Sequence, residues 1–462
     1  MRISIKQLFL EKDNFIERKV SIIGWVKSFR VSKIGITFIS INDGSTFSSV
    51  QVIFNRKDFK DGLLDESKGF SLTKDCVVKV IGRFVESLGK GQDFEIKAEK
   101  VKILGTIYNP SKYPISAKKH SLEHLRQHNH LRIRTNFISA ISRIRHTVYN
   151  SIHKFLDKKN FFWINTPIIT SNDCEGAGEL FNVSTDYGTN NGQKDFFKKK
   201  VFLTVSGQLH AETYCMGLSN VYTFGPVFRA ENSNTTRHLA EFWMLEVETA
   251  FSNLKNNIFL AERLVKYIIE KVLQYRNDEI KFLEKFLEKK IFKKLNLLIE
   301  SEFINVDYTE VIDILKKNAN RFIVPTPFWG ADLQVEHEKF LCEQYFKSPV
   351  VIKNYPKSIK PFYMRLNDDK KTVAAMDILL PEIGEIIGGS EREERLDFLD
   401  KAIIEKKLNI DKVSWYRDLR LYGSASHSGF GLGFERLLSY ITSVSNVKDL
   451  IPFPRTPGIA NY

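Results

Sequence analysis

The densest run of reactive side chains is FGPVFRAENSNTTRHLAEFWMLEVE, residues 224–248. It sets Arg229, Arg237 and His238 within a few residues of Glu231 and Glu241. Read as strand, polar loop and alternating strand, it holds fixed guanidinium groups where phosphate or carboxylate oxygens would sit, because the planar arginine fork binds such oxyanions. Charge content alone also allows a surface loop laced with salt bridges. GFGLGFERLLSYI, residues 429–441, carries glycines at 429, 431 and 433, which let a strand approach another backbone or a ligand closely. Glu435-Arg436 then opens an amphipathic helix, and Arg436 adds its charge to the positive helix start, an arrangement suited to a triphosphate tail. No G-K-[ST] follows, so this is not a Walker A loop. Asp377 and Glu385 lead into Gly388-Gly389-Ser390 and Arg392. Two carboxylates there would suit Mg²⁺, which takes a few carboxylate oxygens together with phosphates, although solvated acids beside a turn fit the same residues. TPIIT around Pro167 and DCEGAGELF around Glu175 complete the set. By itself Pro167 reads only as a break between apolar runs.

These segments need elements to hold them. Residues 19–104 carry five short alternating runs: KVSIIGWVKSFR, ITFISIND, SVQVIF, CVVKVIGRFVE and FEIKAEKVKIL. The second and third are separated by Asp43-Gly44-Ser45, a hairpin signal. Five strands in about 100 residues predict an OB-fold barrel over 1–104, a fold that carries nucleic acid on one face. Residues 105–134 read as a linker, with Asn109-Pro110, Tyr113-Pro114 and the basic, His-rich HSLEHLRQHNHLRIR. From Asn136 to Lys159 the spacing of Phe137, Ile141, Ile144, Val148, Ile152 and Phe155 predicts a helix. Strands and helices then alternate through a domain at 135–462, with a helix-rich insertion near 253–320 that Pro325 and Pro327 terminate.

At 462 residues the chain exceeds what one hydrophobic core usually supports, so two or three domains are expected. A hydrophobic fraction of 43% excludes a wholly disordered chain. Lys and Arg number 69 against 55 Asp and Glu, a net charge of +14 that favours a polyanionic partner or a phosphate-rich substrate. The start, MRISIKQLFLEKDN, lacks the apolar core of a signal peptide. No apolar run reaches the roughly 18 residues that a membrane span needs. Cys76, Cys174, Cys215 and Cys342 lie far apart with no C-x-x-C. That speaks against a zinc ribbon or disulfide framework and for a reducing, cytoplasmic location. Zinc is not expected, the linker histidines included.

The order of barrel, TPIIT, FRAE…R and GFGLGFER resembles the three signature motifs of the class II aminoacyl-tRNA synthetases, subclass b. DCEGAGELF, SGQL (206–209), IGEIIGGSERE and the full 222–246 stretch resemble the asparaginyl branch. The resemblance covers essentially the whole chain. It implies an α+β fold: an antiparallel sheet flanked by helices, behind an N-terminal OB-fold that reads the anticodon. It implies an ATP-dependent tRNA ligase acting on L-asparagine and tRNA(Asn), with Mg²⁺, and a homodimer formed through the Pro167 motif. The catalytic residues implied are Arg229, Arg436 and Glu385. Arg229 would hold the α-phosphate and the amino acid's carboxylate, and Glu231 would lie near the adenine amino group. Arg237 and His238 would reach the outer phosphates, Phe242 would stack on adenine, and Arg436 would hold the γ-phosphate. Asp377 and Glu385 would bind Mg²⁺.

For the amino acid, the resemblance assigns Glu175 to the α-ammonium group, with Ser206 and Gln208 lining the same pocket. Arg392 would donate to the side-chain carbonyl and Glu246 would accept from the side-chain NH₂. An amide offers one acceptor and one donor, so it wants a cation and an anion opposite it, whereas a carboxylate offers acceptors only. Aspartyl relatives carry a Lys where this chain has Ala211. Glu246 also reads as a structural acid paired to an Arg. Phe38, Gln51 and Glu95 would read an anticodon base, with Lys27, Arg30 and Lys33 on phosphates; Phe38 reads equally as a core residue, since either face of ITFISI could turn inward. The alternatives are an aspartyl-tRNA synthetase, including one that accepts both tRNAs, a tRNA-independent relative, and a non-enzymatic RNA-binding module.

Overall fold

Along Ile36–Asn42, Thr37, Ile39 and Ile41 are buried while Ile36, Phe38 and Ser40 are half-buried. The same two-residue period runs through β1 (Lys19–Val31), β2 (Ile36–Asn42), β3 (Val50–Asn55), β4 (Val77–Glu86) and β5 (Phe94–Gly105). It turns Val20, Ile22, Ile39, Ile41, Val52, Val80 and Ile96 onto one core. The strands close into a barrel in the order β1-β2-β3-β5-β4, with β3 and β5 parallel and the other neighbours antiparallel. The computed structural model describes residues 3–55, 72–89, 91–171, 180–185 and 196–462. The Asp-Gly signal does not make a two-residue hairpin. The loop runs over 43–49, because Asn42 Nδ2 donates to the carbonyls of Thr46 and Ser48 and props it open.

The chain divides into two units, Met1–Ala140 and Ile141–Tyr462. The boundary lies within the helix Asn136–Asp157, at whose start Thr135 Oγ1 donates to the Arg132 carbonyl and caps the Ile138 amide. Residues 105–134 are not featureless: Ser121 caps a short helix, Leu122–Gln127, through the His124 amide.

The second unit is built on an eight-stranded sheet, β12-β13-β14-β15-β16-β11-β10-β6. These strands are β6 (Phe162–Trp163), β10 (Asn220–Phe228), β11 (Glu241–Ala250), β12 (Ile304–Asp307), β13 (Val350–Pro356), β14 (Thr372–Leu380), β15 (Gly384–Glu391) and β16 (His427–Gly433). From β13 to β10 every pair is antiparallel, as expected. At the edges β12 and β6 pair in parallel, so the sheet as a whole is mixed. A small sheet, β7-β9-β8, joins Ile169–Thr170, Val201–Leu203 and Asn182–Val183.

The region near 253–320 forms helices Leu254–Tyr275, Asn277–Leu287, Ile291–Glu300 and Tyr308–Lys317. The first lies against β14, β15 and β16 and buries Ile258, Ala261, Val265, Ile268 and Val272 at helical spacing. Glu391 accepts from the Leu254 amide at 2.7 Å, and Asn257 Nδ2 donates to the Gly429 carbonyl at 2.8 Å. That helix therefore braces the two glycine-rich strands. Among the described residues no helix is long and apolar enough to cross a membrane.

Barrel closure leaves Gly24 and Gly82 without room for a side chain. At the β4–β5 irregularity around Gly82, a Cβ would lie 2.2 Å from the Lys97 carbonyl oxygen and 2.8 Å from the Ala98 Cα. Both are backbone atoms, so the strands themselves must move. We predict that Gly82→Ala destabilises the barrel by about 1–3 kcal/mol, the usual cost of overpacking, read as faster amide hydrogen exchange along β4 and β5. Unchanged exchange would show that the bulge absorbs a side chain.

Candidate active site

Hydrogen-bonded register decides which side chains meet across the sheet. Glu246 of β11 pairs with Gly431 of β16, Gly431 with Gly388 of β15, and Gly388 with Asp377 of β14. An acid therefore stands at each end of a row whose two middle positions have no side chain. Along β11, Met244, Glu246 and Glu248 share a face, and their partners on β16 are Gly433, Gly431 and Gly429. Each glycine of GFGLG faces one of them. At Gly429 the need is steric, since a Cβ would fall 2.2 Å from Glu248 Oε1.

Over this floor lies a cavity of about 420 Å³. Its wall includes Ser206, Gln208, Arg229, Glu231, Arg237, His238, Phe242, Glu246, Asp377, Glu385, Arg392 and Arg436. The residues assigned above to ATP, Mg²⁺ and the amino acid thus converge on one space, apart from Glu175, which lies outside the described residues.

At one end Arg229 sets its guanidinium 5.5 Å from the Phe242 ring. Its amide donates to the Ala240 carbonyl, closing the base of the 230–239 loop. Thr235 Oγ1 and Ser233 Oγ lie 2.6 and 3.2 Å from His238 Nδ1. Lys448 Nζ donates to Asn234 Oδ1 and the Val447 amide to the Thr236 carbonyl, so the loop is anchored. Burial and the nearby Arg436 lower the Arg237 pKa, as expected where two like charges stand close together. Arg436 donates to the Glu385 carbonyl at 3.2 Å and stands 3.6 Å from its carboxylate. The helix that carries Arg436 is held by Glu435, which accepts from Arg145 at 2.7 Å and from the Trp243 amide at 3.0 Å.

Asp377 and Glu385 approach the same point. A Cβ built on Gly388 would lie 3.3 Å from Glu385 Oε1 and 3.4 Å from Asp377 Oδ1. The bulge between Ile378 and Leu379 sets this alignment across β14 and β15. Burial and the adjacent Asp377 raise the Glu385 pKa, as expected of two carboxylates sharing a small space. The pair fits a hard divalent cation completed by phosphate oxygens and water. Lys360 Nζ donates to Asp377 Oδ2 at 2.8 Å. Sequence reasoning missed Lys360, which stands far from every motif.

At the other end Ser206 Oγ and the Gly207 amide, the latter at 2.8 Å, donate to the two oxygens of Glu246. Gly207 has no room for a Cβ, which would sit 2.4 Å from Thr166 Oγ1 of the TPIIT segment. Arg392 is fully buried. Its Nε donates to Glu248 Oε2 at 3.1 Å and its Nη2 to Glu248 Oε1. Its Nη1 donates to Ser390 Oγ at 2.8 Å. Glu246 is thus not the arginine's structural partner; Glu248 is. The period-two spacing of EVE could have found Glu248. Ala211 does not reach the cavity, because it is buried against Cys215, Val221 and Ala250.

In the first unit Phe38 is absent from the barrel core and half-buried on the opposite face of β2. The Arg30 guanidinium lies 4.6 Å from its ring centroid. Gln51 Nε2 and Ser87 Oγ each donate to Glu95 Oε2 at 3.0 Å. Lys27 is already engaged, donating to the Arg134 carbonyl at 2.6 Å.

The family described as "tRNA synthetases class II (D, K and N)" matches residues 121–457, and "OB-fold nucleic acid binding domain" matches residues 20–104. The asparagine–tRNA ligase of Haemophilus influenzae (strain PittEE) is 54% identical over 97% of each chain. The chain belongs to the class II tRNA synthetases, in the asparagine–tRNA ligase family. Asparaginyl-tRNA synthetase from Pyrococcus horikoshii, solved with asparaginyl-adenylate, superposes with a TM-score of 0.87 at 31% identity, covering 100% of this chain and 99% of that one. An aspartyl tRNA synthetase from Entamoeba histolytica shares the fold at a TM-score of 0.75 and 22% identity, over 97% of this chain and 91% of that one. The class II fold is therefore common ground between the two amino-acid branches.

Arg229 is the guanidinium that the resemblance assigns to the α-phosphate, and it lines the cavity. We predict that Arg229→Ala lowers ATP–pyrophosphate exchange by about 10²–10³-fold, the scale for removing one transition-state donor, at an unchanged unfolding midpoint. Exchange at the parent rate would exclude Arg229 from the chemistry.

Proposed function

We propose that this chain activates L-asparagine with ATP to asparaginyl-adenylate and transfers it to the 3′ end of tRNA(Asn). The amino acid's carboxylate oxygen attacks the α-phosphorus, forming the mixed anhydride as the bond to pyrophosphate breaks. The attacking group is already anionic, so no protein base is needed. The terminal ribose hydroxyl of tRNA then attacks the adenylate carbonyl and AMP leaves. Arg229 offsets charge at the α-phosphate, while Arg237, His238 and Arg436 hold the outer phosphates. Phe242 stacks on adenine beside Glu231. Catalysis is positioning plus charge stabilisation. Asp377 and Glu385 would hold Mg²⁺, which supplies charge neutralisation on the phosphates when bound.

The observation that carries the reading is the mixed polarity of the amino-acid end. Arg392 spends three N–H groups on Glu248 and Ser390 of the five that its guanidinium possesses, which leaves donors for a carbonyl. Glu246 supplies the acceptor for an NH₂ group. Ser206 and Gln208 line the same pocket, and Glu175, outside the described residues, would take the α-ammonium group. Aspartyl relatives carry a Lys where this chain has Ala211, which is buried away from the cavity wall and brings no charge; this difference favours the asparagine reading over the aspartyl one. In the barrel, Phe38, Gln51 and Glu95 would take an unstacked anticodon base.

Pyrophosphate exchange with asparagine against aspartate tests this directly. At least a tenfold preference for asparagine is expected, about 1.4 kcal/mol, and a preference for aspartate would reverse the assignment. Charging of transcripts with and without a GUU anticodon, repeated with Phe38→Ala, tests the barrel: the variant should lose most of the distinction.

We also propose a homodimer. Phe162, Trp163, Ile168 and Ile169 are each between 41% and 53% exposed around the TPIIT segment, an apolar patch of the kind that marks an interface. Light scattering should give twice the chain mass of 53.5 kDa; a single chain mass would refute it. Cys76, Cys215 and Cys342 are buried and unbridged, in keeping with a reducing cytoplasm; recovery in a membrane fraction would argue otherwise.

A further inference from the structure

Glu212 lies on the helix Gln208–Leu218 and is fully buried. It touches none of the cavity wall's proposed phosphate-binding groups. Tyr416 hydroxyl donates to its Oε2 at 2.7 Å and Arg420 Nη2 at 3.2 Å. His427 Nε2 lies 2.8 Å from the same oxygen. Gln208 Nε2 donates to Oε1 at 3.1 Å, and Arg392 Nε stands 3.9 Å from Oε1. The partners come from the helix Ile410–Leu421, from β16 and from the segment after β15. Burial alone would raise this carboxyl, but the hydrogen bond from His427 and the charge of Arg420 hold it well below the usual carboxylate range. Burying so many ionic groups together is weak evidence for stability, so another reason for the cluster is needed.

The geometry supplies one, and it rests on the asparagine-activating reading above. Gln208 and Arg392 both line the cavity, and both lean on Glu212. A carboxylate accepts only, so the Gln208 amide must turn its NH₂ toward Glu212. Its carbonyl oxygen is then the part offered to the ligand, as an acceptor suited to an α-ammonium group. Arg392 in turn has Glu248 along one edge and Glu212 within 4 Å. A ligand carboxylate arriving there would compete with two resident carboxylates for one guanidinium, with Glu246 close by. A neutral carboxamide meets no such repulsion.

We propose that Glu212 is a positioning and specificity residue: it orients Gln208 and part-neutralises Arg392, so that the pocket accepts asparagine and rejects aspartate. It acts through those two side chains and does not itself contact the amino acid.

The test uses the full-length enzyme. For Glu212→Gln we expect KM for asparagine to rise about tenfold, KM for ATP to stay within twofold, and the asparagine-to-aspartate ratio of kcat/KM to fall at least tenfold. Tyr416→Phe removes one donor to Glu212 and keeps the ring; it should shift the same ratio in the same direction by a smaller factor. A purely structural role would lower activity toward both amino acids alike and leave the ratio unmoved. A parent ratio in folded Glu212→Gln, or in Tyr416→Phe should the first variant not fold, overturns the proposal. The parent enzyme's own preference for asparagine tests the underlying reading separately, since Glu212 can fail as the determinant while that preference stands.

Discussion

Glu248 reaches Arg392 only because β16 carries no Cβ at position 429. The same absence at 431 clears the space beside Glu246, and at 388 it opens the space between Glu385 and Asp377. A sheet interior normally excludes charge, since each ion gives up solvation that only close partners can replace. Here the glycines turn the middle of an antiparallel sheet into a trough, and the acids lie down in it where cations can meet them. The helix Leu254–Tyr275 then becomes intelligible as a support. It binds β15 at Glu391 and β16 at Gly429, bracing strands whose glycines contribute little side-chain packing of their own.

Charge along the trough is divided rather than uniform. At one end, that of the proposed nucleotide site, Asp377, Glu385 and Glu338 face Lys360 and Arg436. Glu338 Oε2 accepts from the Glu385 amide at 3.2 Å, and burial with the adjacent Glu385 raises it to about 7. Such crowding of acids is costly without a cation, and a divalent ion or the neighbouring arginines would relieve it. At the amino-acid end every buried cation has a resident anion: Arg392 with Glu248, Arg420 with Glu212. One end can receive charge and the other a dipole, as the proposed ATP and carboxamide sites require.

Much of this was legible in the residues because it is local. Alternation placed the barrel strands and β11, and the GFGLG spacing placed three glycines on one face. Those patterns depend on neighbours one to four positions apart. What was not legible depends on contacts between distant segments. Glu212, Tyr416, Arg420 and His427 meet from positions about 200 apart in the chain, and none sits in a short motif of its own. Lys360 and Glu338 stand near no motif either, yet both flank the Asp377–Glu385 pair. The Asp43-Gly44 signal misled about loop length for the same reason in miniature, because Asn42 outside the dipeptide decides it. Phe38 stayed ambiguous until the register of β2 fixed which face turned inward.

The division of labour between Glu246 and Glu248 follows from that distinction. Both project from one face of β11, two residues apart, and sequence treats them alike. Glu246 receives Ser206 and the Gly207 amide and remains on the cavity wall. Glu248 is fully buried and spends both oxygens on one guanidinium. What separates them is access: Glu248 is fully buried and off the cavity wall, so a ligand that comes and goes cannot reach it. Glu246 stands on that wall, where a carboxylate oxygen that already holds one donor can take a second. The strand thus carries two glutamates with different work: Glu248 aims the arginine, and Glu246, on the cavity wall, is the one that the proposed asparagine site uses.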